Sequence, residues 1–266
     1  MAEIATNLKL VCEKILRAAS KRAPRIYQIV SRMRKRKKNL LQERGYCEPR
    51  LVAVSKLQSI ESILSAYEAG QRHFGENYVN ELVEKASHPQ ILKHCKEIQW
   101  HFIGNLQRNK VNKVLSAPNL YLIETVDNER IASALNNSWI KFRKSDDKKL
   151  NIMVQVNTSQ ERGKSGCDMT EAPALVKYIV NTCPSLKFIG LMTIGIFGHD
   201  IANGPNPDFI SLLKCQEMVC NELGIDTKNI ELSMGMSNDY EHAIELGSTS
   251  VRVGTAIFGS RPQKNI

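Results

Sequence analysis

Eight short apolar runs recur between residues 51 and 255, most of them separated by a stretch of helical period. This alternation constrains the fold more than any other feature of the chain. The runs are LVAVS (51–55), HFGEN (73–77), IQWHFIG (98–104), YLIETV (121–126), NIMVQVN (151–157), KFIGLMT (187–193), IELSMG (230–235) and SVRVGT (250–255). HFGEN is the weakest of them by β-propensity. Between the runs, Ser59 can cap a helix with Ile60, Ile63, Leu64 and Tyr67 on one face and Gly70 at its end. Val79, Leu82, Val83 and Ala86 repeat the pattern. Asn206 followed by Pro207 reads as a cap plus first-turn proline, with Phe209, Leu212, Leu213 and Val219 as the apolar stripe. Ser237 is expected to cap a helix holding Ala243, Ile244 and Leu246 and closed by Gly247. Strands spaced by helices pair in parallel through right-handed crossovers. The expected fold class is therefore α/β, a single closed (β/α)8 barrel of the TIM type. An open doubly wound sheet is the alternative, but no G-x-G-x-x-G follows the first strand, which weakens its dinucleotide-binding version.

No helix is expected after the eighth strand. An additional N-terminal helix, with Leu8, Val11, Ile15 and Ala18/Ala19 on one face, is expected to cover that side of the barrel. The resulting partition is 1–22 as the packing helix, 23–50 as a basic linker and 51–266 as the barrel. The charge of the chain is confined to a neighbouring segment. Of 37 Lys+Arg and 27 Asp+Glu, residues 17–50 hold 12 and 2, which leaves 25 of each sign elsewhere. The net charge of +10 thus belongs to one segment that includes RMRKRKK (32–38). That segment reads as a solvated insertion, or else as a nuclear-import or polyanion-binding patch. Aromatics flank it only at Tyr27 and Tyr46, which disfavours base stacking. Seven scattered cysteines without C-x-x-C argue against a disulfide framework and a structural zinc site, and for a reducing compartment, cytosol or nucleus. There is no run of 18 apolar residues, and the N-terminus reads as neither secretory signal nor transit peptide.

The first strand runs directly into Lys56. Reactive groups of a β/α barrel sit at the carboxyl ends of its strands. An amine partly desolvated there has its pKa lowered and becomes a nucleophile toward carbonyls. Taken alone, the same lysine also reads as a strand-end side chain reaching for water. Asn77 ends the second strand, where it can either cap the next helix or meet a ligand. His101 reads as a satisfied core histidine. After strands seven and eight come Ser233, Ser237, Arg252, Gly254 and Thr255, where barrels commonly bind phosphate. Glycine lets backbone N–H groups approach an anion, and hydroxyls donate to it. Asp239 and Glu241 would repel an anion from the start of the helix after Ser237, so Ser233 and the Gly254–Thr255 turn are expected to form the main cradle. An imine-forming lysine opposite a phosphate cradle is what pyridoxal phosphate requires.

Seven blocks carry a resemblance over residues 51–262: AVSK, HFGENYVNELVEKA, QWHFIGNLQRNK, NTSQERGKSGCD, GLMTIG, LSMGMSNDYEHAI and VRVGTAIFGSRP. Together, in order and at similar spacing, they resemble the YggS/PROSC family of pyridoxal phosphate homeostasis proteins. The resemblance implies a fold type III barrel like the N-terminal domain of alanine racemases, with pyridoxal 5'-phosphate joined as an imine to Lys56. It also implies phosphate contacts from the Ser233–Ser237 block and from Gly254–Thr255, Asn77 facing the cofactor, and Arg252 beside the pyridine nitrogen. An arginine cannot accept a hydrogen bond, so it keeps that nitrogen unprotonated and the ring a poor electron sink. The chain departs from the family pattern at 23–49, which is longer and more basic.

The functional expectation is an intracellular vitamin B6 homeostasis protein that buffers the cofactor or delivers it to apo-enzymes without catalytic turnover, as a cytoplasmic monomer with no metal. The alternative is a pyridoxal phosphate-dependent racemase or related enzyme. The second domain and second base that the racemases need are not seen in the sequence. A cofactor-free Schiff-base aldolase also suits Lys56. Nucleic-acid binding through residues 17–50 is a hypothesis of a different class.

Overall fold

The computed structural model describes residues 2–33, 48–143, 145, 147–161, 163–196 and 198–260. Residues 34–38, most of RMRKRKK, lie outside these, as does Cys47. Eight parallel strands close into a barrel in sequence order: β1 (Arg50–Val54), β2 (His73–Glu76), β3 (Gln99–Phe102), β4 (Leu120–Val126), β5 (Leu150–Gln155), β6 (Leu186–Met192), β7 (Glu231–Met236) and β8 (Ser250–Val253). β8 returns to β1 with Val52 opposite Arg252. All eight expected runs are strands. HFGEN forms one despite its composition because it is hydrogen-bonded on both sides, to β1 and to β3.

The N-terminal helix α1 (Ala2–Met33) continues past residue 22. It buries Leu8, Val11, Ile15 and Ala18, whose 3-4-3 spacing makes one stripe. The crossover helices follow as α2 (Ile60–Glu68), α3 (Val79–Ala86), α4 (Pro89–His94), α5 (Val111–Leu115), α6 (Glu129–Trp139), α7 (Ala172–Thr182), α8 (Pro207–Leu223) and α9 (Tyr240–Glu245). A short α10 (Thr255–Phe258) does follow β8, which corrects the expectation that no helix would. It is a single turn, too small to cover the barrel wall. α1 packs against α2, α9 and α10 and completes that side.

Caps account for several boundaries. The Ser59 hydroxyl accepts from the Ser62 N–H at 3.3 Å at the start of α2, and Asn206 accepts from the Asp208 N–H at 2.9 Å ahead of Pro207 in α8. At α3 one of two open readings falls away, and at α9 an expectation is corrected. Tyr78, not Asn77, occupies the cap position of α3. Asp239, not Ser237, occupies that of α9, because the chain bends back first and the Asp239 carboxylate accepts from the Met236 N–H at 2.6 Å.

The main core lies between strands and helices, where Phe74, Trp100, Phe102 and Phe209 are fully buried. A separate small cluster of Leu122, Met153 and Met192 lies on the strands apart from this core. Leu122 and Glu124 are two apart on β4 and so face the same way, which sets a carboxylate among these apolar side chains. No helix among the described residues is long and apolar enough to cross a membrane.

Candidate binding site at the mouth of the barrel

A cavity of about 290 Å³ opens at the carboxyl ends of the strands. Lys56, Asn77, Ser237, Arg252, Gly254 and Thr255 all line it. Each lies at or just beyond a strand end, which is why residues from four strands, far apart in sequence, converge. Ile103, Met192, Ile194 and Met236 supply apolar walls that sequence reasoning did not single out. They sit on loops or strand ends, where hydrophobicity alone carries no positional signal.

Ser233 is corrected. It is fully buried below the cavity and does not line it. Its hydroxyl donates to Glu124 Oε2 at 2.5 Å and accepts from Arg252 at 2.6 Å. Ser237, expected to contact the phosphate but not as part of the main cradle, lies just past β7 and lines the cavity, and its hydroxyl accepts from the Gly254 N–H at 3.2 Å. The acid expected to repel an anion, Asp239, also lines the cavity, with one oxygen engaged by the Met236 N–H.

Lys56 stands on a tight turn in which the Gln58 N–H donates to the Ser55 carbonyl at 3.0 Å. Leu57, the third residue of that turn, has φ 62°, a left-handed conformation costly for a leucine. The turn is held from α3. The Leu57 N–H donates to Glu81 Oε1 at 2.5 Å, and the buried Lys85 ammonium donates to the Ser55 carbonyl at 2.6 Å, to Glu76 at 2.8 Å and to Glu81 at 2.7 Å. All three ammonium protons are therefore used. The Ser55 hydroxyl adds a bond to Glu76 at 2.7 Å. Burial pushes the Glu76 carboxyl up to about 7, against the opposing pull of Lys85. The positioning role of Lys85 was missed, since its partners lie in three separate elements.

Asn77 lines the cavity, and its backbone is closely approached by the segment that follows β3. A Cβ at Gly104 would lie 1.9 Å from the Asn77 carbonyl oxygen, so only glycine allows this approach. The Asn77 Oδ1 atom is buried and accepts no hydrogen bond from the described residues.

Arg252 is the cation of the cavity floor, and its guanidinium is fixed by donation to Ser233 and to the Thr193 carbonyl at 2.7 Å. Burial lowers its pKa from the usual arginine value, with the Glu124 charge opposing that shift. Beneath it, His101 is fully buried and bonds Glu124 Oε1 through Nδ1 at 2.7 Å. His101 Nε2 lies 2.9 Å from His73 Nδ1. His101 is thus the satisfied core histidine expected of it.

An amine, a guanidinium, an unpartnered amide oxygen and two hydroxyls around apolar walls fit a small aromatic ligand carrying an aldehyde and a phosphate. The orphaned Asn77 oxygen and the approach to Gly254, where a Cβ would meet the Val54 carbonyl at 3.2 Å, are the features that favour such a ligand.

A β/α barrel with these groups at its mouth belongs to the class described as the alanine racemase N-terminal domain, whose pattern matches residues 32–262. Within that class, the chain belongs to the pyridoxal phosphate homeostasis protein family. It is 55% identical to the pyridoxal phosphate homeostasis protein of Bos taurus over 214 residues, 80% of this chain and 78% of the other. Among solved structures it is similar to a protein of unknown function from Bifidobacterium adolescentis (TM-score 0.76, 32% identity, 97% of this chain and 95% of that one). It is also similar to PipY of Synechococcus elongatus with pyridoxal phosphate bound (TM-score 0.67, 27% identity, 89% and 99%).

Proposed function

We propose that this chain binds pyridoxal 5'-phosphate as an imine on Lys56, buffers it, and hands it to apo-enzymes that need it, without turning over amino acids itself. The observation that carries this reading is a single cavity in which the Lys56 amine and the Arg252 guanidinium share the space with Ser237, Gly254 and Thr255. The pyridoxal phosphate bound to the related PipY supports it. When bound, the cofactor supplies an aldehyde, an aromatic ring and a phosphate. Lys56 would hold the aldehyde end, its neutral amine being the group that would condense there with loss of water. Ser237, Gly254 and Thr255 would hold the phosphate, Asn77 would face the ring, and Arg252 would donate an N–H to the ring nitrogen, for which it cannot serve as an acceptor. The domain scheme proposed with this is a packing helix, a basic linker and the barrel, with the end of the helix moved from residue 22 to Met33 and the start of the barrel from 51 to Arg50. The protein is proposed to act as a monomer in the cytoplasm, with the basic segment as a route to the nucleus.

Absorbance in the near-visible and borohydride trapping test the assignment. Wild-type protein should retain trapped cofactor and Lys56→Ala should lose both signals. A variant that kept them would displace the imine from Lys56. The second reading, an amino-acid racemase, draws on the match to the alanine racemase N-terminal domain. Steady racemisation of any common amino acid by the purified protein would establish it in place of the carrier.

A further inference from the structure

The barrel interior of most such folds is filled by branched apolar side chains in layers. Here a column of polar groups crosses it instead. From the cavity floor downward it runs Arg252, Ser233, Glu124, His101 and His73, with successive separations of 2.6, 2.5, 2.7 and 2.9 Å. The first four are at most 4% exposed, and His73 lies half-buried at the amino end of β2. Burying so many polar groups is costly unless each is paired.

With His101 neutral, the chemistry of the members sets the direction of every bond. Arg252 only donates, so the Ser233 hydroxyl accepts from it and spends its own proton on Glu124 Oε2. Glu124 as a carboxylate only accepts, so His101 Nδ1 carries a proton and donates to Oε1. A neutral His101 then has a bare Nε2, which accepts from His73 Nδ1–H. Both halves of the column therefore converge on one group, with Glu124 receiving from above through Ser233 and from below through His101. Burial alone would raise the Glu124 carboxyl. Hydrogen bonds from His101 and Ser233 and the charge of Arg252 outweigh it and leave the group below its ordinary value. Arg252 Nη1 is 4.0 Å from Glu124 Oε2, so the hydroxyl sits between the charges as a spacer rather than allowing direct contact.

We propose that Glu124 is a positioning residue for the cavity, orienting the Arg252 guanidinium through Ser233, with the His101–His73 pair bracing the carboxylate from the opposite end of the barrel. This rests on the reading that Arg252 faces the cofactor ring. A direct ion pair would turn the guanidinium away from the cavity toward Glu124. The interposed serine and the Thr193 carbonyl take two of its donors and hold the group at the floor, where it lines the cavity.

Two measurements test this, and the first needs no cofactor. In ligand-free protein labelled with ¹⁵N-histidine and ¹⁵N-arginine, His101 and His73 should both show protons on Nδ1. Glu124→Gln should move at least one of them to Nε2, and the Arg252 side-chain N–H signals should broaden in Glu124→Gln and in Ser233→Ala. The second uses added pyridoxal phosphate. Glu124→Gln and Ser233→Ala should each keep borohydride-trappable cofactor yet shift the absorbance band of the bound cofactor, as Arg252→Lys should. Glu124→Gln placed on Arg252→Lys should add no further shift. His101 protonated on Nε2 in the wild type, sharp Arg252 signals in both single variants, or an additive shift in the double variant would overturn the proposal. If the wild type itself traps no cofactor, the carrier reading fails, and the ligand-free spectra still decide the role of Glu124.

Discussion

The Lys85 ammonium on α3 donates to the carbonyl of Ser55, the residue before Lys56, at 2.6 Å. The same ammonium meets Glu76, the residue before Asn77. One buried cation thus ties together the chain segments that present two of the cavity's side chains, although it does not line the cavity itself.

Lys85→Met should therefore be strongly destabilising. Removing one partner of a buried ion pair leaves uncompensated charge and costs about 3–5 kcal/mol. Two carboxylates and a carbonyl would lose their donor here. Denaturant unfolding should show the loss, and Glu81→Gln, at the more exposed edge of the cluster, should cost less.

Glu76 gives a pH dependence with a definite sign. Its carboxyl binds its proton up to about pH 7 in the folded protein, against an ordinary value of 4.5. Between these values the folded state holds a proton that the unfolded state has lost, so this group's contribution to stability falls as pH rises from about 4.5 to 7. Comparing melting temperatures across that window, the wild type should lose ground to Glu76→Gln as pH rises. A difference that stays flat would show that Glu76 remains ionised throughout.

Gly104→Ala should disturb Asn77. The added methyl would sit 1.9 Å from the Asn77 carbonyl oxygen, and backbone cannot give way cheaply. Overpacking of this kind costs about 1–3 kcal/mol. Titration with pyridoxal phosphate should show weaker binding than in Gly254→Ala, whose nearest contact is a milder 3.2 Å.

Deleting residues 32–38 should separate charge from cofactor. Polyanion binding, measured against heparin or duplex DNA, should fall steeply with salt in the full chain and vanish in the deletion. Pyridoxal phosphate binding should be unchanged. Tight polyanion binding that survived the deletion would assign it to another surface.

The fold was legible because its signals are local. Bounded apolar runs mark each strand, and Ser59 and the Asn206–Pro207 pair mark helix starts within a few residues of themselves. Lys56, Asn77, Arg252, Gly254 and Thr255 were legible for a related reason, since a strand end in a parallel barrel is a place as well as a sequence position. What stayed hidden depends on partners. Ser233 and Ser237 are four residues apart on the same strand end, and no local pattern says that one turns down toward Glu124, 109 residues away, while the other faces the cavity. The acids after Ser237 argued against it only until Asp239 was found folded onto the Met236 N–H. Lys85 reads in sequence as an ordinary helix-surface lysine, and its burial is decided by elements that fold around it.

The stripe on α1 that rests against α9 and α10 has a kinetic corollary. Ribosomes release about 5–20 residues per second, and the surface this helix needs is finished only at Thr255–Phe258. α1 therefore spends on the order of ten seconds or more with Leu8, Val11 and Ile15 uncovered by the elements made after it, an interval in which a chaperone can hold that stripe.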